Sequence, residues 1–343
     1  MRGGQRGWSR SQLDRAQPFP LPQAEPTQPG RSQPRRPTGE GASSPPAAPT
    51  VTSSMSRMEE REAPAPLRQN LEEEAGEVSP AMVSAFDYPF TTIRAGNRHV
   101  TRDYPYSAVG KLFFEDDIGG RFSCSGAMID KRLVITAAHC MWDHEENRYY
   151  SNFRFFPAYD GTRHFLTPFC QFAVDDGLVP WEYRADDSVV NEYDFGILQL
   201  RDRGNCRQFG EASAGELTGW LGWASHHLIG NNITQLGYPG NLDSGQVMQK
   251  NHSDVVLNDD TGQIGTAMAG GSSGGPWVQN FGIHPDGLTP IGDGSFDELK
   301  TVVAVKSYGF VNHDPFQVGG ASILNAAWER IWNTACDWEW DNC

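Results

Sequence analysis

AMAGGSSGGPW, residues 267–277, sets two serines between two pairs of glycines and ends on proline and tryptophan. A serine hydroxyl is a poor nucleophile until a base takes its proton during attack. Glycines on either side let the backbone turn sharply and aim N–H groups at one point. On this reading Ser273 is the candidate nucleophile. The N–H groups of Gly271 and Ser273 are candidate donors to a developing oxyanion. Ser272 is the alternative nucleophile, and the plain alternative is a flexible Gly/Ser loop. Upstream, LVITAAHC (133–140) runs from an apolar stretch through small residues into His139, a candidate general base. NEYDFGILQL (191–200) sets Asp194 directly before an apolar strand. There a carboxylate can hold an imidazole in one tautomer and stabilise its cation. Asp186 and Asp187 compete for that role, but no such strand follows them. The chain order His, Asp, Ser is one of three known for this set of groups, and it excludes the other two.

The chain has 343 residues and a formal net charge of -15. That balance repels phosphate backbones and argues against nucleic acid as a partner. No apolar run reaches the length of a bilayer span. All six cysteines lie at or beyond Cys124. An even count confined to one part of the chain reads as disulfides formed in an oxidising compartment, so the expected location is secreted or periplasmic. The Arg-rich start, MRGGQRGWSRSQLDRAQ, has no apolar core of a secretory signal and conflicts with that expectation.

Residues 1 to about 85 hold more than half of the prolines, many Ser, Gln and Arg, and no cysteine. Such composition buries too little apolar surface to offset chain entropy. The expectation is a disordered tail, 1–91, with an acidic stretch at Glu72, Glu73, Glu74 and Glu77. Beyond Phe86 short apolar runs recur at 108–114, 126–129, 133–136, 195–200, 233–236, 254–257 and 302–305, separated by Gly, Asn, Asp and Pro. That spacing predicts an all-β sandwich or barrel. Ser322 to Thr334 places Ile323, Ala327 and Ile331 on one helical face, predicting a C-terminal helix over about 321–335.

Five strings, RDYPYSAVGKL (102–112), FSCSGAMIDKRLVITAAHC (122–140), NEYDFGILQL, ITQLGYPGN (233–241) and AMAGGSSGGPW, lie in collinear order. In them the chain from about Thr92 onward resembles the trypsin/chymotrypsin-fold serine proteases. Through YPYSAVG, EYDFGI and GYPG it is similar to their bacterial glutamyl-endopeptidase (V8-like) branch. The resemblance implies two antiparallel six-stranded Greek-key barrels with the site between them. The first barrel would cover about 92–215 and carry His139 and Asp194. The second would cover about 216–320 and carry Ser273. It implies a serine endopeptidase acting on protein or peptide substrates through an acyl-enzyme, without a cofactor, and expected to be a monomer. It implies a Cys124–Cys140 disulfide behind the histidine. Cys170 with Cys206 and Cys336 with Cys343 are then the proposed remaining pairs, among fifteen connectivities open to six cysteines. It implies a zymogen, with residues 1–91 as a pro-segment and TTIRAGNRHVTRDYPY resembling a mature start.

Three departures matter. Ser272 stands where trypsin-like members carry an aspartate that receives the new N-terminal amine. Ala267 stands where they carry a pocket aspartate, so cleavage after Lys or Arg is not supported. Where the glutamyl branch uses a small hydroxyl residue and a histidine, this chain offers Met268 and the run Val305-Lys306-Ser307-Tyr308-Gly309. Lys306 is the candidate to balance a substrate Glu or Asp, against the commoner case of a solvated lysine. Ser307, Tyr308 and Gly309 are candidates to pair with substrate backbone as an added strand. A protease-like binding protein without turnover is the alternative function, and an intact triad speaks against it. His226-His227 completes no metal-ligand spacing. The Asp pairs at 175–176, 186–187 and 259–260 lack an EF-hand spacing, so no metal is expected. Asn232 and Asn251 begin glycosylation sequons.

Overall fold

The computed structural model describes residues 7–24, 38–40, 89–96, 99–162, 168–186, 188–202, 204, 209–225, 232–258, 261–281, 300–310, 318–338 and 343. Asp187, Cys206, His226, His227, Asp259, Asp260, Trp340 and the acidic stretch at 72–77 lie outside them.

Ahead of the first barrel come α1 (Arg10–Arg15), β1 (Gln17–Pro18), β2 (Gln23–Ala24), β3 (Thr38–Glu40) and β4 (Phe90–Arg94). The first half of the body is β5 (Val109–Glu115), β6 (Arg121–Met128), β7 (Leu133–Thr136), β8 (Trp142–Asp143), β9 (Arg148–Tyr149), β10 (Ser151–Pro157) and β11 (Phe172–Leu178), then α2 (Trp181–Ala185) and β12 (Gly196–Leu200). The strands β6-β5-β10-β11-β12-β7 are hydrogen-bonded in that order, and β7 returns to β6. Six strands thus close into a barrel, sealed between β6 and β7 at Ala127 and Met128, while β6 pairs with β1 at Phe122 and Ser123. Its interior is aromatic and aliphatic, with Leu112, Phe114, Val134, Phe155, Phe172 and Leu198 fully buried.

The second half is α3 (Ala214–Thr218), β13 (Gly222–Ser225), β14 (Asn232–Gly237), β15 (Gln249–Asp254), β16 (Val256–Asn258), β17 (Thr261–Gly265), β18 (Pro276–Gln279), β19 (Thr301–Phe310), β20 (Val318–Ile323) and α4 (Ala326–Cys336). Here β17-β20-β19-β18-β14-β15 form one curled sheet. Side chains rather than a backbone ladder bridge its outer strands. Asn251 Nδ2 donates to the Gly265 carbonyl at 2.8 Å, and the Gly265 N–H donates to Ser253 Oγ at 3.1 Å. The expected pair of barrels is therefore one closed barrel and one curled half-barrel. The same contact leaves Asn251 fully buried, so its sequon is not open in the folded protein. The run 254–257 is two strands, broken where Val255 turns into the second core.

The C-terminal helix starts later than its periodicity predicts. Ile323 closes β20, and Asn325 caps the helix by accepting from the Ala327 N–H at 2.9 Å. Ala327, Trp328, Ile331, Trp332 and Ala335 are buried. Trp328 lies edge-on to Phe195 and Trp223, each with ring centroids 5.8 Å away. Phe195 follows Asp194, so this helix braces the segment that carries the candidate acid. Trp328→Ala is expected to cost about 3–5 kcal/mol, the usual range for a fully buried tryptophan, read as a lowered midpoint in chemical unfolding.

Residues 7–24 depart from the expected disordered tail. Ser9 begins α1, with its N–H donating to Gln12 Oε1 at 2.8 Å. Trp8 and Leu13 are buried against the first barrel, and Trp8 Nε1 donates to the Asn152 carbonyl at 2.9 Å. Average composition conceals this, because two large apolar residues and a cap suffice to dock one short helix. The body also begins ahead of Thr92. In β4, Phe90 pairs with Ser253, and Ser253 Oγ donates to the Pro89 carbonyl at 3.0 Å.

Disulfides join Cys124 to Cys140 and Cys336 to Cys343. Cys170 is also disulfide-bonded, and its expected partner Cys206 lies outside the described residues.

Candidate active site

β7 ends at Thr136, and the small residues Ala137 and Ala138 admit a tight turn that delivers His139. The Cys124–Cys140 bridge pins this turn to β6. Asp194 stands just before β12, which pairs with β7, so the two side chains meet by register. The His139 ring Nδ1 and Asp194 Oδ2 are 2.7 Å apart, and the His139 backbone N–H donates to Asp194 Oδ1 at 2.8 Å. Asp194 is fully buried and His139 is 2 % exposed. A buried carboxylate with three donors is compensated for desolvation. The third donor is Ser307 Oγ, at 2.5 Å from Oδ2. The Ser307 side chain is thus committed to the aspartate, and the expected pairing with substrate concerns its backbone. Asp186 instead accepts from the Ser188 N–H in its own turn, at 2.8 Å.

The serine loop is held by β6 and β19. The Ser125 N–H donates to the Ser273 carbonyl at 2.8 Å, and Ser125 Oγ donates to the Gly271 carbonyl at 2.8 Å. The Gly274 N–H donates to the Lys306 carbonyl at 2.8 Å, and the Lys306 N–H returns to the Gly275 carbonyl at 2.9 Å. Gly271 and Gly274 have φ of 89° and 75°. A Cβ on Gly274 would lie 2.1 Å from Thr136 Oγ1 and 2.7 Å from the Ala137 nitrogen. That glycine is what lets the serine loop press against the turn leading into His139. Ser272 Oγ donates to the Ala269 carbonyl at 2.6 Å and is tied into the loop. Ser273 Oγ and His139 Nε2, by contrast, are buried and without a hydrogen-bond partner. A bonded path thus runs from the serine loop at Gly274 and Gly275 through the Lys306 backbone to its neighbour Ser307, and from Ser307 to Asp194 and His139.

A family model described as Trypsin matches residues 93–313, more than half of the chain. The chain belongs to the trypsin family. It is 28% identical over 180 residues to the glutamyl endopeptidase of Bacillus licheniformis, an alignment covering 51% of this chain and 50% of that protein. The chain thus spans about half the length of this curated relative. A thermostable serine protease, AL20, from an extremophilic microorganism superposes with a TM-score of 0.55 at 22% identity, over 68% of this chain and 98% of its own. Protease Anisep from Arthrobacter nicotinovorans gives 0.51 at 22%, over 66% and 94%. A Glu endopeptidase in complex with MPD gives 0.51 at 19%, over 71% and 95%. At these identities the structures bear on the fold.

The remaining candidates of this trypsin-family domain are distributed as follows. Ala267 is partly exposed, and its N–H donates to Thr92 Oγ1 at 3.1 Å. Met268 is buried. Lys306 is fully buried rather than solvated, and its Nζ donates to the Tyr308 carbonyl at 2.8 Å. Gly319 makes room for it, since a Cβ there would lie 1.8 Å from Nζ. Burial pushes the Lys306 ammonium down to about 7. Tyr308 is buried, while the Gly309 N–H reaches a backbone carbonyl from the N-terminal segment, that of Pro22 at 2.8 Å. Among the described residues one group, Cys124, His139 and Cys140, clusters metal-type ligands, but its sulfurs are joined to each other. Ser125, which braces the serine loop, and Thr136, whose Oγ1 donates to the Ser125 carbonyl at 2.8 Å, escape sequence reasoning. Their one signal is a hydroxyl residue next to Cys124 and another at the end of the LVIT run.

Proposed function

We propose that this chain is a serine endopeptidase, with His139, Asp194 and Ser273 as its triad. The observation that carries the reading is the bonded His139–Asp194 pair beside a serine whose Oγ is buried and unpartnered. Asp194 accepts from Nδ1–H, which leaves Nε2 as the lone-pair nitrogen. Nε2 takes the Ser273 proton as Oγ attacks a peptide carbonyl, and the Gly271 and Ser273 N–H groups stabilise the oxyanion. The protonated imidazole then gives its proton to the leaving amine, and water hydrolyses the acyl-enzyme with His139 again as base. Covalent labelling by a fluorophosphonate, present in the parent and absent in Ser273→Ala, tests this. No labelling of either would favour the non-catalytic binding protein.

The substrate preference proposed is Glu or Asp before the scissile bond. Lys306 supports it as a buried cation whose hydrogen bond goes to a neutral carbonyl. The pH dependence follows from its position. With the folded value near 7, Lys306 is cationic below that pH and neutral above it. kcat/KM reports free-enzyme ionisations. The ratio of kcat/KM for a Glu peptide over its Gln twin should therefore fall as pH rises through about 7, and Lys306→Met should abolish both the preference and its pH dependence. A ratio that is flat from pH 6 to 9 removes this assignment.

Two further elements belong to the proposal. The segment ahead of Pro89 acts as a pro-segment, supported by β4 being integral to the body from Phe90. The location is outside the reducing cytosol, supported by the disulfides at Cys124 and Cys336.

A further inference from the structure

Gln17-Pro-Phe-Pro-Leu-Pro-Gln23 carries proline at every second position. Each proline holds φ near −65° and lacks an N–H, so the run is a preorganised extended strap. The strap crosses the candidate active site. β1 pairs with β6 through Phe122 and Ser123, and the Phe19 N–H donates to the Ser123 carbonyl at 2.9 Å. The Phe19 carbonyl then accepts from the Gly271 N–H at 3.0 Å. That donor is one of the two assigned above to the oxyanion. The Phe19 ring stacks on His139 at 5.8 Å and meets Phe114, Phe122 and Tyr150 at 5.4, 5.3 and 5.7 Å. Leu21 is buried, Pro22 accepts from Gly309, and β2 pairs with β19 at Gly309 and Phe310. One segment thus uses the oxyanion donor, covers the base and fills the strand edge expected to receive substrate. Trp8 and Leu13 anchor it to the first barrel.

We propose that Phe114, Phe122 and Tyr150 form an aromatic subsite beside His139 for a proline-alternating peptide, and that residues 17–24 occupy it as a tethered inhibitor of the cleft. This rests on the peptidase reading, but its central test does not need turnover. The full-length chain carrying Ser273→Ala is compared with the same chain also carrying Phe19→Asp and Leu21→Asp. The probe is a fluorescein-labelled peptide of residues 16–24, followed by anisotropy. The peptide should bind the unlatched chain at least tenfold more tightly than the chain with its own strap. Equal binding, or none to either, overturns the proposal. With Ser273 restored, unlatching should speed fluorophosphonate labelling at least tenfold, and equal rates also overturn it. A peptide difference without labelling in either chain keeps the strap and discards the peptidase reading. Labelling at equal rates does the reverse. Cleavage of the intact chain after Phe19 makes the strap a substrate and overturns inhibition. If the double substitution lowers the melting temperature, Phe19→Ala alone, on a half-buried side chain outside the barrel, serves in the same two assays.

Discussion

Ser273→Ala is expected to lower kcat by about a millionfold, the scale seen when a triad nucleophile is removed, with the melting temperature nearly unchanged. The fold gives the reason for both halves of that result. Ser273 Oγ makes no hydrogen bond, so its removal leaves no polar partner unsatisfied. The loop around it is held by backbone groups and by Ser125, which the substitution leaves alone. What remains is catalysis by the oxyanion donors and by binding, about a thousandfold or more over water. The comparison is made by hydrolysis of a Glu-containing peptide in the Phe19→Ala background, where the strap is weakened. Ser272→Ala is the control. It loses the bond from Oγ to the Ala269 carbonyl, at a cost of about 1 kcal/mol in stability, and should retain kcat within about tenfold. A larger loss of kcat at Ser272 than at Ser273 would reverse the assignment of nucleophile.

The parts of this site legible in the sequence are those whose chemistry is local. GGSSGGP announces a backbone turned past the limits of residues with a side chain, and Gly271 and Gly274 adopt positive φ there. LVITAAHC announces a strand followed by a turn, and β7 and the His139 turn are where that reading puts them. What stayed hidden depends on contacts between distant segments. Ser307 is six residues beyond the start of β19 and 113 residues from Asp194. No local pattern distinguishes its hydroxyl from that of an ordinary strand residue. Lys306 reads as solvated because lysines usually are; its burial follows from Gly319 on the neighbouring strand β20. The N-terminal strap was concealed for the opposite reason. Its proline content is a sign of disorder when averaged over 85 residues. The same content is a stiff extended ligand when Phe19 and Leu21 are read between prolines, after a capped turn that carries Trp8.

Asp194→Asn is the second large effect expected, a fall in kcat of about ten-thousandfold. All three groups around the carboxylate are donors: the His139 backbone N–H to one oxygen, and the His139 ring nitrogen and Ser307 hydroxyl to the other. An amide offers one oxygen and one NH2 group. If its oxygen stays toward the imidazole, the NH2 faces the His139 backbone N–H, and two donors oppose each other in a fully buried position. If the amide turns over, its NH2 meets Nδ1. The ring must then accept at Nδ1 and carry its proton on Nε2, the nitrogen that has to be free to take the proton from Ser273. One orientation strains the turn that holds the base, and the other fixes the wrong tautomer. The stability cost is bounded at about 1–3 kcal/mol for a buried unsatisfied group, so a modest drop in melting temperature should accompany a far larger drop in rate. Ser307→Ala separates the two effects. It removes one donor from the carboxylate but leaves both bonds to His139, so its kcat should fall much less than that of the asparagine variant. Nitrogen chemical shifts of the His139 ring read the tautomer directly. In the parent they should report a proton on Nδ1, and in Asp194→Asn a shift of that proton to Nε2. Parent shifts that already place it on Nε2 would contradict the role given to Asp194.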